Sequence, residues 1–325
     1  MWLKDITMKK NKGKISLVIN TKNEEENLKN CIDSVKDIVD EIVVVDMQSA
    51  DSTVKIAKKL GATVFSVPDY GYVEPARNFA FKKANYEWIL LLDADERLNT
   101  SLKRLIRKLI AEDKYQIIDL PSKNIHFGKW VKNAGWWPDY KTRLFKKENI
   151  VWSSEIHSHP NKKGKIYQVP AKEENAIVHF NTKNVSQLAE KNNRYTIFSN
   201  SFRGTKEIGG AYVLAFIENE FWDRYIVKKG YKEGIHGYIL SKFMEYYRFL
   251  EFAREWERRG YKGIKNTKEI YNILKNRNES SQLYIEQIKK LEKMLNEITS
   301  SKTFKVWQAF VGARKKLLRF FRILK

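Results

Sequence analysis

Short apolar runs alternate with amphipathic stretches from Ile15 onward. The run Ile15 to Asn20 (ISLVIN) is followed by Glu41 to Asp46 (EIVVVD), by Ala62 to Val67 closed by Pro68, and by Trp88 to Leu92, which leads into Asp93-Ala94-Asp95. A continuous apolar run bounded by polar residues suits a strand buried on both faces, as in a parallel sheet. Between the runs lie helical stripes. Leu28, Cys31, Ile32, Val35 and Ile38 form the first, with Glu24, Glu25 and Glu26 in its opening turn, where acids complement the helix dipole. Val54, Ile56, Ala57 and Leu60 form the second, capped by Asp51 or Ser52 and stopped by Gly61. A third helix is predicted over Ala76 to Ala84. This alternation predicts an α/β domain with a mainly parallel, doubly wound sheet that binds a nucleotide at its strand ends. No Gly-rich dinucleotide or Walker fingerprint is present, so those two modes of phosphate binding lose support.

The pattern then changes. Leu102, Leu105, Ile106, Leu109 and Ile110 predict another inward-facing helix, and IIDLPSKN begins a second half of the domain. Trp130, Trp136 and Trp137 sit close together in that half, where aromatic faces serve a core or a sugar ring equally well. From Phe221 to Trp256 aromatics interleave with Lys and Arg, and Gly230, Gly234 and Gly237 divide the stretch in two. Tyr284, Ile288, Leu291, Leu295 and Ile298 form a short heptad seam, as compatible with an intramolecular helix as with a homodimer coil. The tail from Lys302 to Lys325 has five lysines, three arginines and no acid, with Phe304, Trp307, Phe310, Leu317 and Phe321 among its apolar positions. Basic, amphipathic and aromatic together, it suits an anionic membrane surface.

Charge sharpens the question of partners. The 325-residue chain carries a formal net charge of +22, which points to nucleic acid, anionic lipid or phosphorylated substrates. No nucleic-acid-binding motif accompanies it, so no nucleic-acid partner is expected. The single cysteine, Cys31, excludes an internal disulfide framework, and MWLKDITMKKNKGK lacks the apolar core of a secretory signal. The expectation is a cytoplasmic protein held peripherally on the inner face of the cell membrane.

Candidate chemistry gathers at the strand ends. Residues two apart on an extended chain face the same side, so Asp93 and Asp95 are placed to share a divalent cation, Mg2+ or Mn2+, completed by substrate phosphates. Their alternative role is an ordinary strand-to-helix cap. The blocks ISLVINTKNEEENLKNCIDSV, DEIVVVDMQSADSTVKIAKKLGA and ARNFAFKKANYEWILLLDADERL, in this order and spacing, resemble the family 2 glycosyltransferases with the GT-A fold, and within them the lipopolysaccharide-core glucosyltransferase type. The resemblance covers roughly residues 14–256. It implies a nucleotide-sugar donor, in particular a UDP-sugar, and inversion at the transferred sugar, with hexosyl transfer to a surface-glycan or lipid-linked acceptor. It further implies that Thr21, Asn23 and Glu24 line the nucleotide pocket, that Asp46 contacts base or ribose, that Arg77 lies near the phosphates, and that Asp93 and Asp95 take the metal.

PDYKTRLF matches the same family through Asp139 and Arg143, the latter suited to phosphate or to a salt bridge joining the two halves. Relatives commonly carry His-Glu where this chain has His157-Ser158. The candidates for the base that takes the acceptor proton are therefore Glu155, His157 and Asp139. That departure also leaves open a catalytically inactive, membrane-tethered scaffold. The expected organisation is a basic arm (1–14), a nucleotide-sugar half (15–120), an acceptor half (121–182), a helical membrane-proximal segment (183–260), a linker with a short coiled-coil-like helix (261–300) and the basic amphipathic tail (301–325).

Overall fold

The structure, a computed structural model, describes residues 13–153, 160–199, 201–202, 208–262, 264–265 and 267–300. In chain order its elements are β1 (Ile15–Thr21), α1 (Leu28–Val35), β2 (Glu41–Asp46), α2 (Thr53–Lys59), β3 (Thr63–Ser66), α3 (Glu74–Lys83), β4 (Trp88–Asp93), β5 (Glu96–Arg97) and α4 (Thr100–Glu112). The second half contributes β6 (Ile117–His126), β7 (Lys129–Trp130), β8 (Asp139–Lys146), β9 (Ile150–Val151), β10 (Asn161–Lys162), β11 (Ile166–Gln168), β12 (Ile177–Thr182) and α5 (Val185–Ile197). Then come β13 (Ile208–Gly209), α6 (Gly210–Trp222), α7 (Ile235–Arg258), β14 (Ile264–Lys265) and α8 (Thr267–Ser300). The chain forms two compact units, one drawn from residues 1–206 and 215–263, the other from 207–214 and 264–325.

The first unit is built on one sheet, in the order β3-β2-β1-β4-β8-β6-β12-β5. The first four strands pair parallel, as their unbroken apolar runs require, whereas β8 is antiparallel to both of its neighbours. Alternate residues of β1 and β4 serve two cores. Ile15, Leu17, Ile19, Trp88, Leu90 and Leu92 pack with Leu28, Ile32, Leu102 and Ile106 on one face. Val18, Ile89 and Leu91 pack with Ala76, Ala80 and Phe81 of α3 on the other. Both faces are thus covered, and each buried Leu or Ile contributes roughly 1.5–3 kcal/mol of transfer free energy. Strand order reverses beside β1, whose chain continues to β2 on one side and finds β4 on the other; the crevice at the carboxyl ends there is where open α/β sheets bind ligands.

Three local predictions differ from the structure. Helix α1 starts at Leu28, so Glu24 to Glu26 precede it rather than forming its first turn. Their backbone is claimed by the next loop: Glu24 N–H donates to Thr53 Oγ1 (2.8 Å) and Glu25 N–H to Asp51 Oδ2 (3.1 Å). Helix α3 begins at Glu74, since Pro75 suits a first turn where no N–H is needed. Helix α8 runs unbroken from Thr267, ahead of the first heptad anchor. The side chains of that seam and the whole 302–325 tail lie outside the described residues, as do residues 1–12 of the arm.

Behind the sheet, α5 and α7 pack through Leu188 and Leu240 onto Val131. The turn between α6 and α7 is pinned by one carboxylate. Glu233 Oε1 accepts from the N–H groups of Lys132 and Asn133 (both 3.0 Å) and from Asn133 Nδ2 (2.7 Å), and Oε2 meets Lys129 Nζ at 2.9 Å. Gly237 is required beside it, because a Cβ there would stand 1.9 Å from the Gly230 carbonyl oxygen. Burial opposes the Glu233 charge, but Lys129, Asn133 and the two N–H groups outweigh it and hold its pKa below the ordinary value. A depressed carboxylate stabilises the fold above its unfolded pKa and stops doing so as pH falls through the folded one. We expect Glu233→Gln to destabilise the protein by about 1–2 kcal/mol at neutral pH. The deficit should shrink as pH falls below about 4.3, the ordinary glutamate value, when urea unfolding is followed from pH 7 downward.

Candidate active site

The parallel register fixes the site before any side chain is considered. Thr21 pairs with Asp46 and Asn20 with Asp93, so three acid or polar strand ends fall in one row at the carboxyl edge. A cleft of about 730 Å³ opens there. Its walls include Thr21, Glu24, Arg77, Asp93, Asp95, Asp139 and Arg143 from the sequence analysis, together with Lys141, His179 and Lys191. Asn23 and Asp46 do not line the cleft. Asn23, in the left-handed region at φ 54°, joins the β1 and β2 loops by accepting from Ala50 N–H at 2.8 Å. Asp46 is 3% exposed, and its Oδ2 accepts from Ser49 N–H at 3.0 Å. Glu155 and His157 lie outside the described residues.

The floor of the cleft is an ion cluster. Arg143, carried in by the antiparallel β8, donates through Nη2 to Asp93 Oδ2 and to Glu96 Oε1 (2.7 Å). Arg77 Nη2 stands 3.8 Å from Asp93 Oδ1, with its guanidinium 4.1 Å over the Trp152 ring. Glu96 is fully buried and also accepts from Asp93 N–H (3.1 Å). Burial alone would push the Asp93 carboxyl up. Arg143 foremost, then Arg77, override it and keep it well below the usual carboxylate range. Burial likewise raises Asp95, and His179 and Lys191 reverse that, with a net downward shift. Glu24 goes the other way, pushed up by burial and by the nearby Asp95 charge despite its bond from Asn27.

Asp93 and Asp95 do not sit on one extended strand, as their spacing suggests. Strand β4 ends at Asp93, and Asp95 lies in the turn that follows, with its carbonyl accepting from Phe180 N–H (2.9 Å). Both still face the cleft. His179 Nε2 lies 3.5 Å from Asp95 Oδ1, and Lys191 Nζ 3.8 Å from Asp95 Oδ2. The tautomer of His179 follows from its neighbours. Asn124 Nδ2 donates to Trp136 O (3.2 Å) and Asp139 Oδ2 (3.0 Å), so Asn124 Oδ1 must face His179 Nδ1, 2.6 Å away, and accept its proton. The Nε2 lone pair then faces a carboxylate, a contact that needs a proton or a cation between them.

Among the described residues no three His, Cys, Asp or Glu side chains are arranged to hold a metal ion as they stand. The donor chemistry nevertheless fits one: two ionised carboxylates and an imidazole whose other nitrogen is fixed by a hydrogen bond suit Mn2+ or Mg2+. Unsatisfied buried polar atoms mark the other end of the row, namely both amide atoms of Asn20, Thr21 Oγ1 and Asp46 Oδ1. Buried polar atoms left unpaired call for a ligand or water. Sequence reasoning missed Glu96 and the part His179 plays. Glu96 was detectable as a third acid beside Asp93 and Asp95, and His179 only within its His-x-Asn segment.

Residues 16–160 match the model of glycosyl transferase family 2. A glycosyltransferase of Rickettsia felis, itself uncharacterised, is 30% identical over 257 residues, 74% of this chain and 89% of the relative. A Rickettsia prowazekii counterpart is 32% identical over 267 residues, 74% of this chain and 86% of its own. The chain belongs to glycosyl transferase family 2. Among solved structures, S. aureus TarS 1-349 in complex with UDP is 18% identical with a TM-score of 0.42, over 76% of this chain and 92% of that one. Glucosyl-3-phosphoglycerate synthase from Mycobacterium tuberculosis with Mn2+ and UDP-glucose is 25% identical with a TM-score of 0.29, over 35% and 44%.

Arg143 is the test of the cluster. Arg143→Met strands Asp93 and Glu96 without their shared cation, and breaking a buried ion pair from one side costs about 3–5 kcal/mol. We expect thermal unfolding to drop accordingly, whereas Lys141→Met, on a half-buried lysine at the cleft wall, should cost far less in the same assay.

Proposed function

We propose that this glycosyltransferase moves a hexosyl group, with inversion, from a UDP-sugar to a surface-glycan or lipid-linked acceptor, in the manner of the lipopolysaccharide-core glucosyltransferase type. The observation that carries the reading is the row of strand ends. Asn20 and Thr21 line the cleft at one end, with Asp46 paired beside Thr21, and Asp93, Asp95 and His179 line it at the other. Two ionised carboxylates repel a diphosphate, and a divalent cation between them would remove that repulsion. Asp93, Asp95 and His179 would hold that cation, which when bound neutralises charge on the departing diphosphate. Arg77, Lys141 and Lys191 line the same cleft and supply further positive charge to the phosphates.

Departure of the nucleoside diphosphate must coincide with loss of a proton from the acceptor hydroxyl. Asp139 lines the cleft, and its Oδ2 accepts from Asn124 Nδ2 at 3.0 Å. It is the described member of the three base candidates, with Glu155 and His157 the others. The Asn124 amide links it to His179, so one side chain orients both.

A membrane-surface location is part of the proposal. No helix among the described residues is long and apolar enough to cross a membrane. Yet Trp222 (61%), Val227 (61%) and Ile235 (66%) are largely exposed, and Lys228, Lys229 and Lys232 are interspersed among them. Apolar side chains beside lysines suit the interface of an anionic bilayer.

The proposal is tested by donor hydrolysis in the absence of acceptor, across a panel of nucleotide-sugars with manganese, magnesium or EDTA. Release of UDP from one donor, dependent on metal and reduced at least about 100-fold in Asp95→Ala, is the expected outcome. Equal rates in wild type and variant would contradict it. For the membrane, deletion of Lys302 to Lys325 and, separately, Trp222→Ser with Ile235→Ser should each weaken sedimentation with anionic liposomes while UDP binding is kept. Undiminished sedimentation of both would remove the membrane from the account.

A further inference from the structure

Two neighbouring residues of α3, Arg77 and Asn78, take hold of Trp152, just past the end of β9. The Asn78 side chain pairs with both backbone groups of Trp152. Its Nδ2 donates to the Trp152 carbonyl (2.7 Å), and its Oδ1 accepts from the Trp152 N–H (2.9 Å). A side-chain amide offers both a donor and an acceptor, so this reciprocal pair replaces the ladder bonds that a strand would have supplied. The ring of Trp152 is seated as a result. Its centroid lies 6.4 Å from that of Phe81, another residue of α3, and the Arg77 guanidinium lies 4.1 Å over it. Both Trp152 and Arg77 line the cleft, although they are only 8% and 7% exposed.

Arg77 depends on that ring for its orientation. Its Nη2 stands 3.8 Å from Asp93 Oδ1, beyond the hydrogen-bond limit of about 3.2 Å, and the other oxygen of Asp93 is taken by Arg143. The carboxylate therefore attracts Arg77 without fixing the direction of its donors. Arg143 also repels it: burial lowers the Arg77 pKa, Asp93 offsets part of that, and Arg143 adds to the lowering. An indole face attracts a cation more strongly than any other aromatic side chain. That contact uses none of the guanidinium donors in a conventional hydrogen bond, so the terminal N–H groups remain to grip phosphate oxygens in pairs.

We propose that Asn78 is a positioning residue for the donor diphosphate: its grip on the Trp152 backbone holds the indole against Arg77, and the indole sets the guanidinium toward the cleft. Asn78 is not part of the cleft wall, so it acts through the other two. The inference rests on the nucleotide-sugar reading and deepens it, because it says which groups outside the cleft prepare the phosphate end of the site.

The experiment is a double-mutant cycle on the full chain. Affinity for UDP with manganese is read by calorimetry, and affinity for uridine by saturation-transfer NMR. Asn78→Ala removes the grip, Trp152→Leu the ring and Arg77→Met the guanidinium. Each single variant should lose about tenfold in UDP affinity and keep its uridine affinity, which also shows that it is folded. Trp152→Phe, which retains a ring, should stay within about threefold of wild type. Asn78→Ala added to Arg77→Met should cost less than about twofold more, the mark of a residue that acts through its neighbour. UDP affinity undiminished in Asn78→Ala overturns the inference. So does a fall in uridine affinity equal to that in UDP affinity, or a full tenfold loss when Asn78→Ala is added to Arg77→Met; either would make Asn78 a support of the fold alone. Should Asn78→Ala not fold, Trp152→Leu with Arg77→Met closes the same cycle. Failure of wild type to bind UDP is a different result, since it removes the donor site itself and the positioning role with it.

Discussion

The structure turns on a buried guanidinium placed between a buried carboxylate, Glu96, and one that faces the cleft, Asp93. Arg143 reaches Asp93 and Glu96 from a strand that runs against its neighbours, and it is 3% exposed. Each of these charges would be costly to bury by itself; together they satisfy one another, and removing any one exposes the cost of the others. The triad therefore does more than join the parallel and antiparallel parts of the sheet. It holds Asp93 ionised beside β1, where the strand order reverses. Glu96 gives Arg143 a second anchor.

From that fixed point the rest of the site is assembled by hydrogen bonds of definite sense. The Asn124 amide is oriented by two acceptors and in turn fixes the proton of His179, leaving the opposite nitrogen toward Asp95. Asp139 shares the same amide. His179 and Asp139 are thus both held by one uncharged side chain, in a cleft where basic residues stand among acids. Behind it, the Glu233 carboxylate anchors the 129–133 segment to the turn before α7, and this places Trp136 against His126.

Much of this was legible in the sequence, and what was not has a physical reason. The parallel strands and the helices between them follow from unbroken apolar runs and helical stripes, and each predicted strand from β1 to β4 is found within a residue or two of its expected bounds. Thr21, Asp46 and Asp93, each named from the sequence, stand at neighbouring strand ends because parallel register aligns the ends of such runs. Helix α1 was mis-started because loop-to-loop bonds from Thr53 and Asp51 are invisible to periodicity. Glu96 and His179 escaped because their significance depends on partners distant in sequence, Arg143 and Asn124, brought close by pairings that no local pattern encodes. The grip of Asn78 on Trp152 was illegible for the same reason, since 74 positions separate the two.

The most direct measurement is diffraction from crystals grown with UDP and manganese, with anomalous data collected at the metal edge. The account predicts an anomalous peak within coordination distance, about 2.0–2.2 Å, of oxygens of Asp93 or Asp95, the diphosphate on its far side, and the nucleoside over Asn20, Thr21 and Asp46. UDP bound elsewhere, or bound in that cleft with no anomalous density beside either aspartate, would contradict it.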